Sequence, residues 1–253
     1  MIRTLILEAL WAAVCNHNPA APKSSLNLYF PRHSAAIHAR SNTPLMLAGH
    51  DGLELMLVAK KIQAQLAEEW EDQFSTAVTP RGALAFRLSD SYIWSHATEG
   101  VRRWLPEAIN QAIASRGAAA SSPLLPSELL QIIQLSITHL DGVLLLLASQ
   151  KLPRTTNDDG LSDGWHLPPS PSNSLLTPLL GSLLLLPEHL SQEGRLPGQS
   201  FKVAIQHLLQ QFNNYRSANP ILGGERATQE AVAGSFALLL EGLRLVGDLE
   251  LCS

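Results

Sequence analysis

Cysteine is scarce: Cys15 and Cys252 are the only two in 253 residues. Two thiols build neither a disulfide framework nor a cysteine-based zinc site. A reducing cytoplasm suits such a chain and is the expected location. Charge is sparse as well, at 16% of residues, with 18 Lys+Arg against 22 Asp+Glu and a net of −4. Strong sequence-blind nucleic-acid binding draws on many cationic contacts to phosphate, and this balance argues against it. The charge is uneven. Residues 1–116 carry 11 Lys/Arg and 10 Asp/Glu, whereas residues 117–253 carry 7 and 12. If electrostatics bring either half to RNA, the first half is better suited.

Uninterrupted apolar runs are missing. A bilayer span needs roughly 20 largely apolar residues, and Leu175–Leu190 is broken by Pro178, Gly181, Pro187 and Glu188. Gly142–Ala148 is shorter still. Both read as buried helical segments, and no membrane partner is expected. The N-terminal stretch places Glu8 inside its apolar region and lacks a small-x-small cleavage site, so it reads as a core helix rather than a signal peptide. Nucleotide and nucleophile signatures are absent too: there is no G-x-S-x-G, no G-x-x-x-x-G-K-[ST] and no G-x-G-x-x-G.

What is present divides in two. Residues 1–15 have helical spacing, Ser25–Phe30 alternates as a strand, Asp51 is placed to cap a helix through Trp70, and Ala83–Leu88 reads as a second strand. Ser91–Ala114 follows as one or two helices, with Pro106 at a break or a first turn. The remainder of residues 16–50 reads as loop. Gly117–Pro126 is small and proline-bounded, a linker by composition. Beyond it come leucine-rich helical stretches at Pro126–Gln150, Leu175–Ser191, Gly198–Arg216 and Arg226–Leu245. The expected fold class is α+β: an α/β domain over 1–116, a linker over 117–126 and an all-α bundle over 127–253.

Local motifs are weak. Asn157–His166 approaches an acidic calcium loop but lacks two charged ligands, so a solvated loop is the simpler reading. The histidines, His33 and His38 among them, read as scattered over the surface, and no metal or cofactor is expected. Arg102, Arg103 and Trp104 form a cluster that either grips a nucleic-acid backbone beside a stacked base or rims a helix above a buried Trp104. The second reading is favoured, because arginine stems commonly cover apolar surface.

Two segments taken together resemble arginyl-tRNA synthetase with its middle removed. GLELMLVAKKIQAQL followed by PRGALAFRLSD is similar to that family's amino-terminal additional domain, most specifically at Phe86–Asp90 (FRLSD). LLTPLLGSLLLLPEHL, AIQHLLQQFNNYRSANPIL and AVAGSFALLLEGLRLVGDLEL resemble its carboxy-terminal DALR anticodon-binding bundle, with Leu186–Leu190, Phe212–Tyr215, Pro220–Leu222 and Gly242–Gly247 in the motif positions. The likeness covers residues 45–100 and 125–253. The family's nucleotide-binding core has no counterpart, and neither do its His-x-Gly-His and Lys-Met-Ser-Lys-Ser elements. The resemblance therefore implies no aminoacylation and no enzyme. It implies a tRNA-binding module, with the arginine tRNA as one candidate ligand, that presents tRNA to a modifying enzyme or a synthetase. The implied contacts are Arg81, Arg87, Arg102, Arg103, Asn213, Tyr215 and Arg216. Ala83 and Ala85 replace an aromatic and an Asn of the family strand, and Arg216 replaces a terminal aromatic. Backbone contact survives these changes better than base readout does. The alternative is a protein-interaction scaffold that kept the fold and lost RNA.

Overall fold

Alternating and helical spacings settle into nine α-helices and three strands among the residues described by the computed structural model. These residues are 1–31, 38–51, 54–116, 125–149, 167, 174–191, 199–218 and 226–248. They fall into two compact units, Met1–Tyr92 and Ile93–Ser253.

In the first unit, α1 (Ile2–His17) buries Ile2, Ile6, Ala9, Leu10, Ala13 and Val14, one helical face. That face packs on α3 (Leu55–Trp70), which turns Val58, Ala59, Ile62 and Leu66 inward. Between them in sequence lie β1 (Ala39–Ser41) and α2 (Thr43–Asp51). The region 16–50, read as mostly loop, thus holds a strand and a helix. Asp51 ends α2, and it is Glu54 that precedes α3. Ser25–Phe30 contributes a single bridge, with Tyr29 and Arg40 exchanging both main-chain hydrogen bonds at 2.9 and 2.8 Å.

The sheet is antiparallel throughout, in the order β1, β3 (Leu84–Leu88), β2 (Phe74–Val78). Strand β2 was not anticipated, although Phe74, Thr76 and Val78 alternate with smaller residues. The two longer strands join at a turn where Gly82 has φ +77°, and its N–H donates to the Thr79 carbonyl at 2.9 Å. The left-handed conformation explains the glycine. The inner face carries Phe74, Leu84, Phe86 and Leu88, all buried, with Phe74 edge-on to Phe86 at 5.4 Å. Within FRLSD the roles alternate: Phe86 and Leu88 point inward and Arg87 outward. Ser89 Oγ then accepts the Tyr92 N–H at 3.1 Å, capping α4 (Asp90–Glu99).

The second unit is helical among its described residues. A π-helical turn, Gly100–Trp104, joins α4 to α5 (Leu105–Arg116). Pro106 is the second residue of α5, inside a helical run that continues from Asp90 to Arg116, and having no N–H it donates no bond back into the π-helical turn. The helices that follow are α6 (Ser127–Ser149), α7 (Thr177–Ser191), α8 (Gln199–Ala218) and α9 (Arg226–Asp248). Helix α7 is apolar on nearly every side, as befits a helix enclosed by others, and packs against α5, α8 and α9. Its leucines enter gaps left by glycines. A methyl group on Gly100 would stand 2.5 Å from Leu184 Cδ1, and one on Gly242 2.8 Å from Leu183 Cδ1. Trp94 Nε1 donates to Thr177 Oγ1 at 3.0 Å, satisfying a buried indole. These contacts place residues 93–116 in the bundle unit, whereas the sequence reading assigned them to the amino-terminal domain.

Because Gly100 and Leu184 share one space, their substitutions are coupled. Gly100→Val is expected to lower the unfolding free energy by about 1–3 kcal/mol through overpacking. Leu184→Ala is expected to cost about 2–5 kcal/mol through the cavity it opens. Denaturant titrations of both single variants and the double variant check the coupling: the double should cost less than the two single costs added together.

Candidate nucleic-acid interface

Pleating sends alternate residues of the three strands to the outer face of the sheet. The register sets Tyr29, Arg40, Ala85 and Ala77 opposite one another in one row across it. In the adjacent row Ser75 opposes Arg87, and the same register brings His38 opposite Arg87. Arg87, Ser75 and Ala77 are exposed, and Tyr29 and Arg40 are half-buried. Small side chains therefore surround two guanidinium groups and one phenol ring. Arg40 Nε is buried and meets no acceptor among the described residues. A cationic surface with an aromatic ring and little side-chain relief suits a phosphate backbone and a stacked base.

A surface reading of the histidines fails at His189, 5% exposed, and at His38, 7% exposed. The His38 main-chain N–H donates to the Phe86 carbonyl at 2.8 Å, and its Nδ1 accepts the Leu88 N–H at 2.9 Å. The imidazole thus extends the β1–β3 ladder by one rung, so Nε2 carries the proton of the neutral ring. Burial, with the Arg87 guanidinium adding to it, lowers the His38 pKa to about 4.

The residues implied by the resemblance fare differently. Arg81 is exposed in the β2–β3 turn and Arg87 on the outer face of the sheet. Arg102 pairs with Glu241 at 3.1 Å, and Arg103 with Glu99 at 3.1 Å and Glu107 at 3.4 Å. Both arginines are committed to carboxylates of their own unit. Trp104 is buried and stacks on His96 at 6.3 Å, the rim arrangement. Tyr215 is 6% exposed and stands edge-on to Phe236 at 5.9 Å. Its ring belongs to the core and offers no stacking face. Phe212 packs on the same Phe236 at 5.3 Å.

Asn213 and Arg216 are exposed near the end of α8. Arg216 Nη1 lies 2.7 Å from His139 Nε2. Desolvation first, and the guanidinium second, lower the His139 pKa and favour its neutral, accepting form. Among the described residues no group of three or more His, Cys, Asp or Glu is placed to hold a metal. The calcium-like segment Asn157–His166, His33, Pro220–Leu222 and all of Gly117–Pro126 but its last two residues lie outside the described residues.

Tyr29 and Arg40 were missed by sequence reasoning because their contribution depends on cross-strand register. The alternation in Ser25–Phe30 hinted only that Tyr29 points opposite to Leu28 and Phe30. No family model, curated protein or solved structure matches the chain.

The His38 pKa dictates an acid limb of stability. Above pH 6.5 the ring is neutral folded and unfolded, and its contribution is complete. Between pH 6.5 and about 4 the unfolded chain takes up a proton that the folded chain refuses, so stability falls. Below about pH 4 the loss is full, on the order of 3 kcal/mol. His38→Asn keeps an acceptor for Leu88 and removes the titration. Urea unfolding from pH 8 to 4 should show this variant with a flatter profile than the wild type.

Proposed function

We propose that the chain is a non-catalytic tRNA-binding protein that presents tRNA to another enzyme. The carrying observation is the outer face of the sheet, where Tyr29, Arg40 and Arg87 stand among Ala77, Ala85 and Ser75. The resemblance of FRLSD and of the leucine-rich carboxy-terminal segments to the tRNA-recognition parts of arginyl-tRNA synthetase supports the same reading. In the bundle unit Asn213 and Arg216 form a second polar contact point. Backbone contact dominates in this reading. Guanidinium groups hold phosphates by charge and paired donors, while alanines at 83 and 85 supply no base-reading amide.

Arg102 and Arg103 contribute less, since each would have to exchange a carboxylate for a phosphate. Tyr215, buried edge-on against Phe236, supports the α8–α9 packing, and its ring is not counted among the contacts.

A second reading, a protein-interaction scaffold, is favoured by the outer face of α6, where Ile132, Leu135, Leu145 and Leu146 are exposed.

Gel-shift titration with total tRNA at about 0.1 M salt tests the RNA reading, because phosphate contacts weaken steeply as salt rises. Arg40→Ala, Arg87→Ala and Arg216→Ala should each weaken binding and reduce the salt slope by about 1. Arg103→Ala should change little. Absence of any shift down to low salt ends the proposal.

A further inference from the structure

The segments that build the sheet contain no carboxylate side chain. Residues 9–50 hold Lys23, Arg32 and Arg40 and no Asp or Glu, and residues 73–89 hold Arg81 and Arg87 and again neither acid. The chain as a whole has a net charge of −4, so this local excess of positive charge runs against its composition. In the bundle unit, by contrast, Arg102 pairs with Glu241, Arg103 with Glu99 and Glu107, Arg226 with Glu230 and Arg244 with Asp141. Among the described residues Arg40, Arg81 and Arg87 pair with no carboxylate.

Arg40 is the most demanding of the three. Its Nε is buried and has no acceptor among the described residues, and a buried charged donor left unpaired is costly. The register of the sheet places a second guanidinium close by. Arg40 opposes Ala85, and Arg87 stands two residues further along the same face of β3, so the two arginines are diagonal neighbours. Such neighbours lie about 7–8 Å apart, within reach of long side chains. Ala85 and Ala77 continue the row without a side chain tall enough to screen the gap. On the other side of Arg40 its direct cross-strand partner is Tyr29.

An anion shared by two guanidinium groups has to offer several acceptor oxygens at once. A phosphodiester does so, and the planar fork of arginine matches it. The neighbouring phenol ring adds a preference for a flat group attached to that phosphate, which is what a nucleotide carries. In a duplex each base is paired and stacked between its neighbours and none is free to lie on Tyr29. Unpaired RNA can splay a base onto an aromatic ring.

We propose that Arg40 and Arg87 together grip one backbone phosphate of an unpaired RNA segment, whose adjoining base stacks on Tyr29. This rests on the tRNA-binding reading and narrows the sheet's share of it to a loop or an end of the molecule. Ala77 and Ala85 offer no donor or acceptor to a base edge, so the grip is indifferent to sequence.

Fluorescence anisotropy on the full chain at about 0.1 M salt tests this with a labelled RNA of about eight nucleotides. It is used as a single strand, as a duplex with its complement, and as an abasic strand. The single strand should bind at least about tenfold more tightly than the duplex, and the abasic strand should lose that advantage. Arg87→Ala, at an exposed position and folded by circular dichroism, should weaken single-strand binding by about tenfold, as should Arg40→Ala. Because one phosphate is shared, the double variant should lose less than the two single losses multiplied together. Tyr29→Ala should erase the preference for the single strand and Tyr29→Phe should keep it.

The proposal is overturned by equal binding of single strand and duplex, by binding unchanged in Arg87→Ala, or by losses that multiply in the double variant. It is also overturned if a phosphoserine peptide binds as tightly as the RNA and depends on Arg87, since a protein would then own the face. A gel shift with total tRNA that persists while these tests fail leaves the RNA reading standing and removes the sheet site alone. No shift at all removes both.

Discussion

The bundle unit depends on two leucines entering two glycine gaps. Leu184 fills the space above Gly100, and Leu183 the space above Gly242. Close-packed interiors admit no such approach where a Cβ stands in the way. The contact fixes α7 against the π-helical turn and against α9 together. With those elements set, Arg102 reaches Glu241 and the Trp94 indole finds Thr177. The ion pairs of Arg102 and Arg103 are half-exposed and of modest energetic worth. Their greater effect is to take those arginines out of the pool available to an anionic ligand.

The two surfaces with binding character obey opposite logic. On the sheet, small residues and guanidinium groups produce a low, cationic face whose attraction is long-ranged and sensitive to salt. On α6 the gain comes from removing leucine from water, which salt does not screen.

Much of the helical content was legible in the sequence because amphipathic spacing is local. Helices α1, α6, α7, α8 and α9 and strand β3 lie where periodicity put them, within a few residues. The losses have physical reasons. β1 spans three residues, too short for alternation to register, and exists because β3 offers it an edge. α2 begins beside a proline in a segment whose prolines suggested loop. His38 looked like a surface residue because a sequence does not reveal that a ring nitrogen will complete a sheet ladder. Tyr215 suggested a stacking aromatic by its place in a motif, yet helical phase turns it toward Phe236 while Asn213 and Arg216 face outward. Exposure of Leu145 and Leu146 ran against their hydropathy, because a run of leucines does not reveal which side of the helix the bundle covers.

The π-helical turn between α4 and α5 has a bearing on which sequence changes this protein can absorb. A wider turn accommodates one more residue than an α-helical turn does. Each residue advances an α-helix by about 100°. Dropping one amino acid within Gly100–Trp104 would therefore leave an ordinary α-helical turn with α5 keeping its face toward the bundle, whereas the same deletion inside α5 would swing everything after it by that angle. The residue that cannot be exchanged there is Gly100, whose missing side chain admits Leu184, so this turn absorbs a change of count more readily than a change of that residue.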